Sequence, residues 1–424
     1  MVDVTLVLLS VSFILFFGFL AEFLFKKTGI PDVLLLLILG FVLGPSVANY
    51  VPLDIINPFI PIFTTFALLF LLYQGAFNID LASFAKEIGP SLVIMIFNFG
   101  ISTIIITAVM MLFGQSFLIS LLLGVILGGV SSSFVVPVLQ GLNVRQDTYS
   151  VLTLESAFTD VLTIVSALTV MEIMRAGSVG FQAISNSIVS LFAIAGLIGI
   201  VGGIVWILLV QKVFKENTHY MITVAYLLML YVFTEFLQGN GAIAALFFGL
   251  ILKNGKQLVL IMRGIVNRTI VPSKSKAKAK IRRKMAKASE TADITTKSEE
   301  LFYEQISFFL KTFFFVYIGL LFNINVISAL IIGGIISVLL LISRNFSSVI
   351  LKGFTDFDRT IVKSMFARGI AAAAIIQIAI QQGIADAVML ADIVYAVIIF
   401  TVVLSSVRIF IAKLGEPEEK GDKA

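Results

Sequence analysis

The sequence predicts an all-α, polytopic membrane protein with about thirteen transmembrane helices. Three observations predict it. Of 424 residues, 59% are hydrophobic and only 13% charged, a balance foreign to soluble domains. The mean hydropathy is +1.07, and it is carried by separate runs that approach the ~20 residues a helix needs to cross a bilayer. Those runs lack the period-2 alternation of membrane β-barrel strands.

The runs lie at 4–25, 30–48, 58–77, 88–113, 116–140, 149–174, 181–211, 219–237, 240–253, 301–322, 325–351, 360–381 and 389–412. The first has no basic region before it and no small-residue cleavage site after it, so it reads as a retained helix and not a signal peptide. Lys26 and Lys27 follow the first run, Lys86 the third, Arg145 the fifth, and Lys212 and Lys215 the seventh. Lys352, Arg359 and Lys363 follow the eleventh, and Lys413, Lys420 and Lys423 the last. The opposite connections are nearly free of basic residues, Arg175 excepted. The positive-inside rule therefore predicts a multi-pass protein of the cell membrane, with the N-terminus outside and the C-terminus in the cytoplasm.

The fifth run contains Gly128-Gly129-Val130-Ser131-Ser132-Ser133 and then Pro137, a sequence that weakens a helix and offers hydroxyl oxygens to a cation. The twelfth contains Arg368-Gly369 followed by four alanines. Two interrupted spans in corresponding places of the two halves point to an inverted-repeat transporter with a midplane site. Close packing by small residues is the competing reading, and for the alanines both stand.

The sixth run, YSVLTLESAFTDVLTIVSALTVMEIM, carries Glu155, Ser156, Thr159 and Asp160 in its middle. Carboxylates at that depth mark ion pathways or proton relays. Ser156 and Asp160 are four residues apart and share a face. Glu155 and Asp160 are separated by roughly 140° around the helix and meet different surroundings. This predicts two jobs, one acid paired with a base and the other free for a mobile cation. A charged arginine in a span needs a carboxylate, and Glu155 is the expected partner of Arg344 in LLLISRNFSSVIL. Lys311 lies nearer a helix start, where snorkelling to the interface is expected.

Residues 253–297 hold 13 Lys/Arg and 2 Asp/Glu, whereas the whole chain is only +5. A solvated cytoplasmic loop or contact with anionic lipid headgroups both suit this segment. It lacks the interleaved aromatics of a nucleic-acid binder, so no nucleic-acid partner is expected. There is no cysteine and one histidine, His219, which excludes thiolate metal sites and histidine-cluster pH sensing. No phosphate-binding glycine motif is present, so neither ATP drive nor any other cofactor is expected.

Four segments then resemble the monovalent cation:proton antiporters, the prokaryotic sodium/proton exchangers. They are KTGIPDVLLLLILGFVLGP (27–45), LESAFTD (154–160), FFLKTFFFVYIGL (308–320) and FARGIAAAA (366–374). The resemblance implies a non-enzymatic homodimer that moves like an elevator. It would have a dimerisation bundle and a core of two unwound helices crossing near the midplane. It implies that Asp160 binds the transported cation and proton, that Ser156, Thr159, Ser131, Ser132 and Ser133 line the site, and that Glu155 pairs with Arg344. Arg368 takes the place of a family arginine in the twelfth helix.

In these terms 1–87 are N-terminal helices of the dimerisation or scaffold bundle, 88–175 the first core repeat with the ion site, and 176–253 scaffold helices. Residues 254–298 are the basic cytoplasmic loop, 299–322 a linking helix, 323–413 the second core repeat and 414–424 a short cytoplasmic tail. The chain departs from the pattern twice. Thr159 stands where the family has Asn or Asp, and Ser131-Ser132-Ser133-Phe134 where sodium exchangers often read Thr-Asp-Pro. The serine version is more similar to the potassium/proton branch. The expected activity is exchange of Na⁺, with K⁺ or Li⁺ as alternatives, for protons. A potassium efflux system and an organic-anion carrier of the same fold are the rival readings.

Overall fold

In a bilayer a span must satisfy its own backbone, and a helix does so within one segment. The computed structural model describes residues 4–28, 30–48, 50, 60–77, 81–142, 144–176, 181–212, 220–255, 297–347 and 355–414. Among these residues there are fifteen helices and no strand. They are α1 (Val4–Thr28), α2 (Asp32–Leu43), α3 (Ile60–Phe77), α4 (Leu81–Leu112), α5 (Phe117–Ile126), α6 (Ser132–Gln140), α7 (Gln146–Ala176) and α8 (Phe181–Lys212). After these come α9 (Tyr220–Phe236), α10 (Gly241–Lys253), α11 (Lys297–Leu321), α12 (Ile327–Phe346), α13 (Asp356–Ser364), α14 (Ile370–Gln381) and α15 (Ala387–Leu414). The basic segment 254–298, apart from its ends, and the tail from residue 415 lie outside the described residues, as does His219.

Five stretches among the described residues are long and apolar enough to cross a membrane, at 93–112, 146–175, 192–210, 327–346 and 387–413. Eight further apolar helices are shorter. Two of these, α5 and α14, are short because the fifth and twelfth runs are each interrupted. The fifth run becomes α5 and α6 and the twelfth becomes α13 and α14.

The chain divides into two compact units. The first comprises Met1–Leu68, Glu87–Ser178 and Phe308–Ala424. Within it α7 packs on α5, α6, α13 and α14, and α15 packs on α2, α12, α13 and α14. Every residue of α14 from Ile370 to Ala379 is buried. Its alanines are therefore packing residues: a helix enclosed on all sides needs small side chains for close approach.

The same unit holds a tight seam between α2 and α11. A Cβ on Gly40 would sit 3.0 Å from the Gly319 Cα, and one on Gly319 only 2.8 Å from the Phe41 nitrogen. At one end of the seam the Lys311 ammonium lies 2.5 Å from the Asp32 carboxylate. At the other, Ser46 Oγ donates to the Phe322 carbonyl over 2.8 Å. Lys311 thus does not snorkel. A buried carboxylate lies within its reach, and pairing costs less than leaving either charge alone.

The second unit comprises Leu69–Lys86 and Val179–Ser307. α8 and α10 pack closely there, and α9 joins both. Its core is aromatic: Trp206 stacks on Tyr226 with ring centres 4.6 Å apart, and Tyr226, Phe248, Tyr73 and Tyr303 continue the series. The buried Tyr73 hydroxyl donates to that of Tyr303 over 3.0 Å.

Candidate functional site

An interrupted helix leaves carbonyls free at the end of its first half and N–H groups free at the start of its second. The first unit contains two such breaks, at 127–131 and 365–369, and they meet. The Ser131 amide donates to the Ala367 carbonyl over 2.9 Å. Gly369 lies so close to the Ser131 side chain that a Cβ there would be 2.7 Å from Ser131 Cβ. Only a residue without a side chain fits the crossing.

Arg368 neutralises the carbonyl end. Its guanidinium donates to the Gly128 carbonyl over 3.2 Å, to the Gly129 carbonyl, and to Ser102 Oγ over 3.0 Å. A cation at the C-terminal end of a half-helix is where the helix dipole favours one. The Arg368 amide is anchored to Thr401 Oγ1 of α15 over 3.1 Å.

Asp160 occupies the opposite end. Its Oδ2 accepts from the Ser132 amide over 3.1 Å and from the Ser132 hydroxyl over 2.5 Å. A carboxylate at a helix N-terminus has the same electrostatic logic with the sign reversed. Asp160 and Ser132 are partly exposed. Thr159 instead faces the break itself, where its Oγ1 accepts from the Val130 amide over 3.0 Å.

The other acid is differently placed. Arg344 donates to both oxygens of Glu155, at 2.7 Å for Nη2. Asn98 Nδ2 adds a third donor over 2.7 Å. Glu155 and Arg344 are 1% and 3% exposed, so the pair is sealed from water. Arg344 Nε is satisfied by the Val362 carbonyl over 2.9 Å, beside the second break.

The structure therefore brings Asp160, Ser132, Thr159 and Arg368 together at the breaks and joins Glu155 to Arg344. It does not bring Ser156 or Ser133 to Asp160 by hydrogen bonding. Ser156 is fully buried and turns its hydroxyl to the Thr153 carbonyl of its own helix, over 3.0 Å. Ser133 is half-buried and makes no hydrogen bond to Asp160, and Ser131 serves the crossing. Sequence reading missed Asn98, Ser102, Ser347, Thr401 and Asp32. Asn98 and Ser102 had a signal: they are four apart in an apolar run and share a face. Among the described residues no group of three or more His, Cys, Asp or Glu could hold a metal ion. The oxygen donors at the crossing are one carboxylate, hydroxyls and carbonyls.

The profile of the family described as "Sodium/hydrogen exchanger, transmembrane" matches residues 11–263 and 284–412. The chain belongs to the sodium/hydrogen exchanger family. Both helix breaks and all the candidate site residues of this chain fall inside the matched segments. It is 27% identical over 236 residues to the K(+)/H(+) antiporter NhaP2 of Shewanella oneidensis, covering 54% of this chain and 40% of that protein. It is 28% identical over 199 residues to the probable Na(+)/H(+) antiporter 2 of Methanocaldococcus jannaschii, covering 45% of each. The alignments thus span less than half the length of these relatives. Its fold is similar to that of the sodium proton antiporter MjNhaP1 from Methanocaldococcus jannaschii at pH 8, with a TM-score of 0.67 and 19% identity over 96% of this chain and 95% of that one.

Proposed function

We propose that the chain is a secondary antiporter that exchanges a monovalent cation for protons, with Asp160 as the group for which the two compete. The observation that carries this reading is the unequal treatment of two acids on one helix. Glu155 has three donors and a buried counter-charge, whereas Asp160 accepts, among the described residues, from Ser132 alone and is partly exposed. A proton or a dehydrated cation could take the open side of that carboxylate, with Ser132 Oγ turning its oxygen lone pairs to the ion. Thr159 and Arg368 hold the two breaks in place around it, and Ser131, Ser133 and Ser156 support the walls.

The charges at the site balance. Glu155 and Asp160 stand against Arg344 and Arg368, so one proton or one monovalent cation changes the sum by the same amount. Exchange is therefore one for one and electroneutral. With α5 and α6 counted as one span, and α13 and α14 as another, the fifteen helices become the thirteen spans of the sequence reading. In that reading helix, broken helix, helix recurs as an inverted repeat: α4, α5–α6, α7 and then α12, α13–α14, α15. Transport is then an elevator movement of a core within a homodimer, with the N-terminus outside and the basic 254–298 segment against cytoplasmic lipid.

Na⁺ is the first expectation for the cation. K⁺ is the second reading, favoured by the relative named as a K(+)/H(+) antiporter and by the serines in place of Thr-Asp-Pro. One measurement separates them. Proteoliposomes holding the purified chain are given one imposed pH gradient, and Na⁺, Li⁺ and K⁺ are compared. Cation-dependent dissipation of the gradient is the expected result, and its absence with all three ions would overturn the proposal.

A further inference from the structure

We propose that Asn98 is a positioning residue: oriented by Ser347, its amide holds Glu155 in the paired state and out of the transport reaction. The inference rests on the exchange reading above and adds the device that leaves Asp160 as the one free carboxylate. Ser347 Oγ donates to Asn98 Oδ1 over 2.6 Å. That bond fixes which way the amide faces, and leaves the Asn98 Nδ2 group to donate to Glu155 Oε1 over 2.7 Å. Ser347 follows Arg344 by three residues at the end of α12, so one helix turn supplies both the counter-charge and the group that aims the amide. The four side chains form a closed set, from Ser347 to Asn98 to Glu155 and back through Arg344, and all four are buried.

Three charged groups lie near Glu155. Arg344 faces it from α12, Arg368 lies within electrostatic reach from the second break, and Asp160 stands on α7 itself. If Glu155 took up a proton, two guanidiniums would face Asp160 alone, and the excess positive charge would repel an incoming cation. Exchange therefore requires Glu155 to stay ionised. A donor to a charged group favours its charged form. Asn98 thus stabilises the ionised, paired form of Glu155 and leaves Asp160 to the exchange.

The purified chain is reconstituted, and cation-driven exchange is measured from acidic to alkaline pH for the wild type, Asn98→Ala, Ser347→Ala and the double variant. Asn98→Ala should lose exchange at milder acidity than the wild type. The acid limb moves up by roughly one pH unit, the size expected for one hydrogen bond to a charged group. Ser347→Ala should move it the same way by less, and the double variant no further than Asn98→Ala, because both changes act through one amide. A purely structural role would reduce the amount of folded protein and leave the pH profile where it was, which overturns the proposal. So do additive shifts in the double variant. If Asn98→Ala does not fold, Ser347→Ala, which removes a single oxygen, carries the same decision. If the wild type exchanges no cation for protons, the exchange reading fails by itself. Thermal unfolding then decides the positioning: Asn98→Ala should lower the midpoint less in a Glu155→Gln background than in the wild type, and equal losses overturn it.

Discussion

Asp160→Asn keeps an oxygen that can accept both Ser132 bonds, but it cannot ionise. The variant should fold with a midpoint near that of the wild type and show no cation-driven proton movement in proteoliposomes; wild-type rates would remove Asp160 from the centre of the mechanism. Glu155 and Arg344 should behave in the opposite way. Glu155→Gln or Arg344→Gln each strands a buried charge, at a cost of about 3–5 kcal/mol. The double variant should recover part of that loss, and strictly additive midpoints would show that the two do not act as a pair. These charged residues were legible in the sequence because an ionised group in an apolar run has few structural explanations. Asn98 and Ser102 were not, since uncharged polar residues are common in spans and acquire meaning only when a partner is seen. The hydroxyl partner of Ser156 was equally hidden: a serine in a helix can give its hydroxyl to a preceding carbonyl, and this one does.

The crossing of the two breaks is a steric and hydrogen-bonded object, and its predictions belong to the elements. Gly369 has extended backbone angles that any residue adopts, so the objection to a side chain there is the Ser131 side chain. Gly369→Ala should force the breaks apart, lower the thermal midpoint and slow exchange at least tenfold, an effect on the scale of the ~1–3 kcal/mol that overpacking costs. Thr159→Val is nearly the same size and removes the acceptor of the Val130 amide. Leaving that amide unpaired costs about 1–3 kcal/mol. A Val variant as stable as the wild type would mean that the break does not need the pin. Both interruptions could be read from Gly128-Gly129 and Arg368-Gly369, because weak helix formers announce themselves. What each loose end bonds to could not. The partner of the Gly129 carbonyl lies 239 residues away, and no local pattern encodes it.

At the scale of the molecule the prediction concerns voltage. Four buried or half-buried charges cancel at the site, and Thr159 adds none, so one proton should replace one cation. Proteoliposomes clamped with K⁺ and valinomycin should exchange Na⁺ for protons at a rate and reversal point that do not follow the imposed potential. A reversal point that moves with voltage would require a second titrating group. The all-helical class was legible from hydropathy alone, since a bilayer admits few solutions for an apolar chain of this composition. Hydropathy alone does not group segments distant in sequence into units; that expectation came only through the family resemblance, because grouping depends on which apolar faces meet, and lipid-facing and protein-facing residues look alike in a sequence.

The seam between α2 and α11 has a consequence in time. Lys311 reaches Asp32 across 279 residues of chain. At the ordinary pace of synthesis, about 5–20 residues per second, α2 waits on the order of 10–60 s for its partner. Throughout that interval the nascent chain carries an Asp32 without its ammonium and a Gly40 surface without the Gly319 backbone that closes against it. The N-terminal helices can enter the membrane early, but α2 meets its α11 partner only after α11 has been made, and α15, which also packs on it, later still.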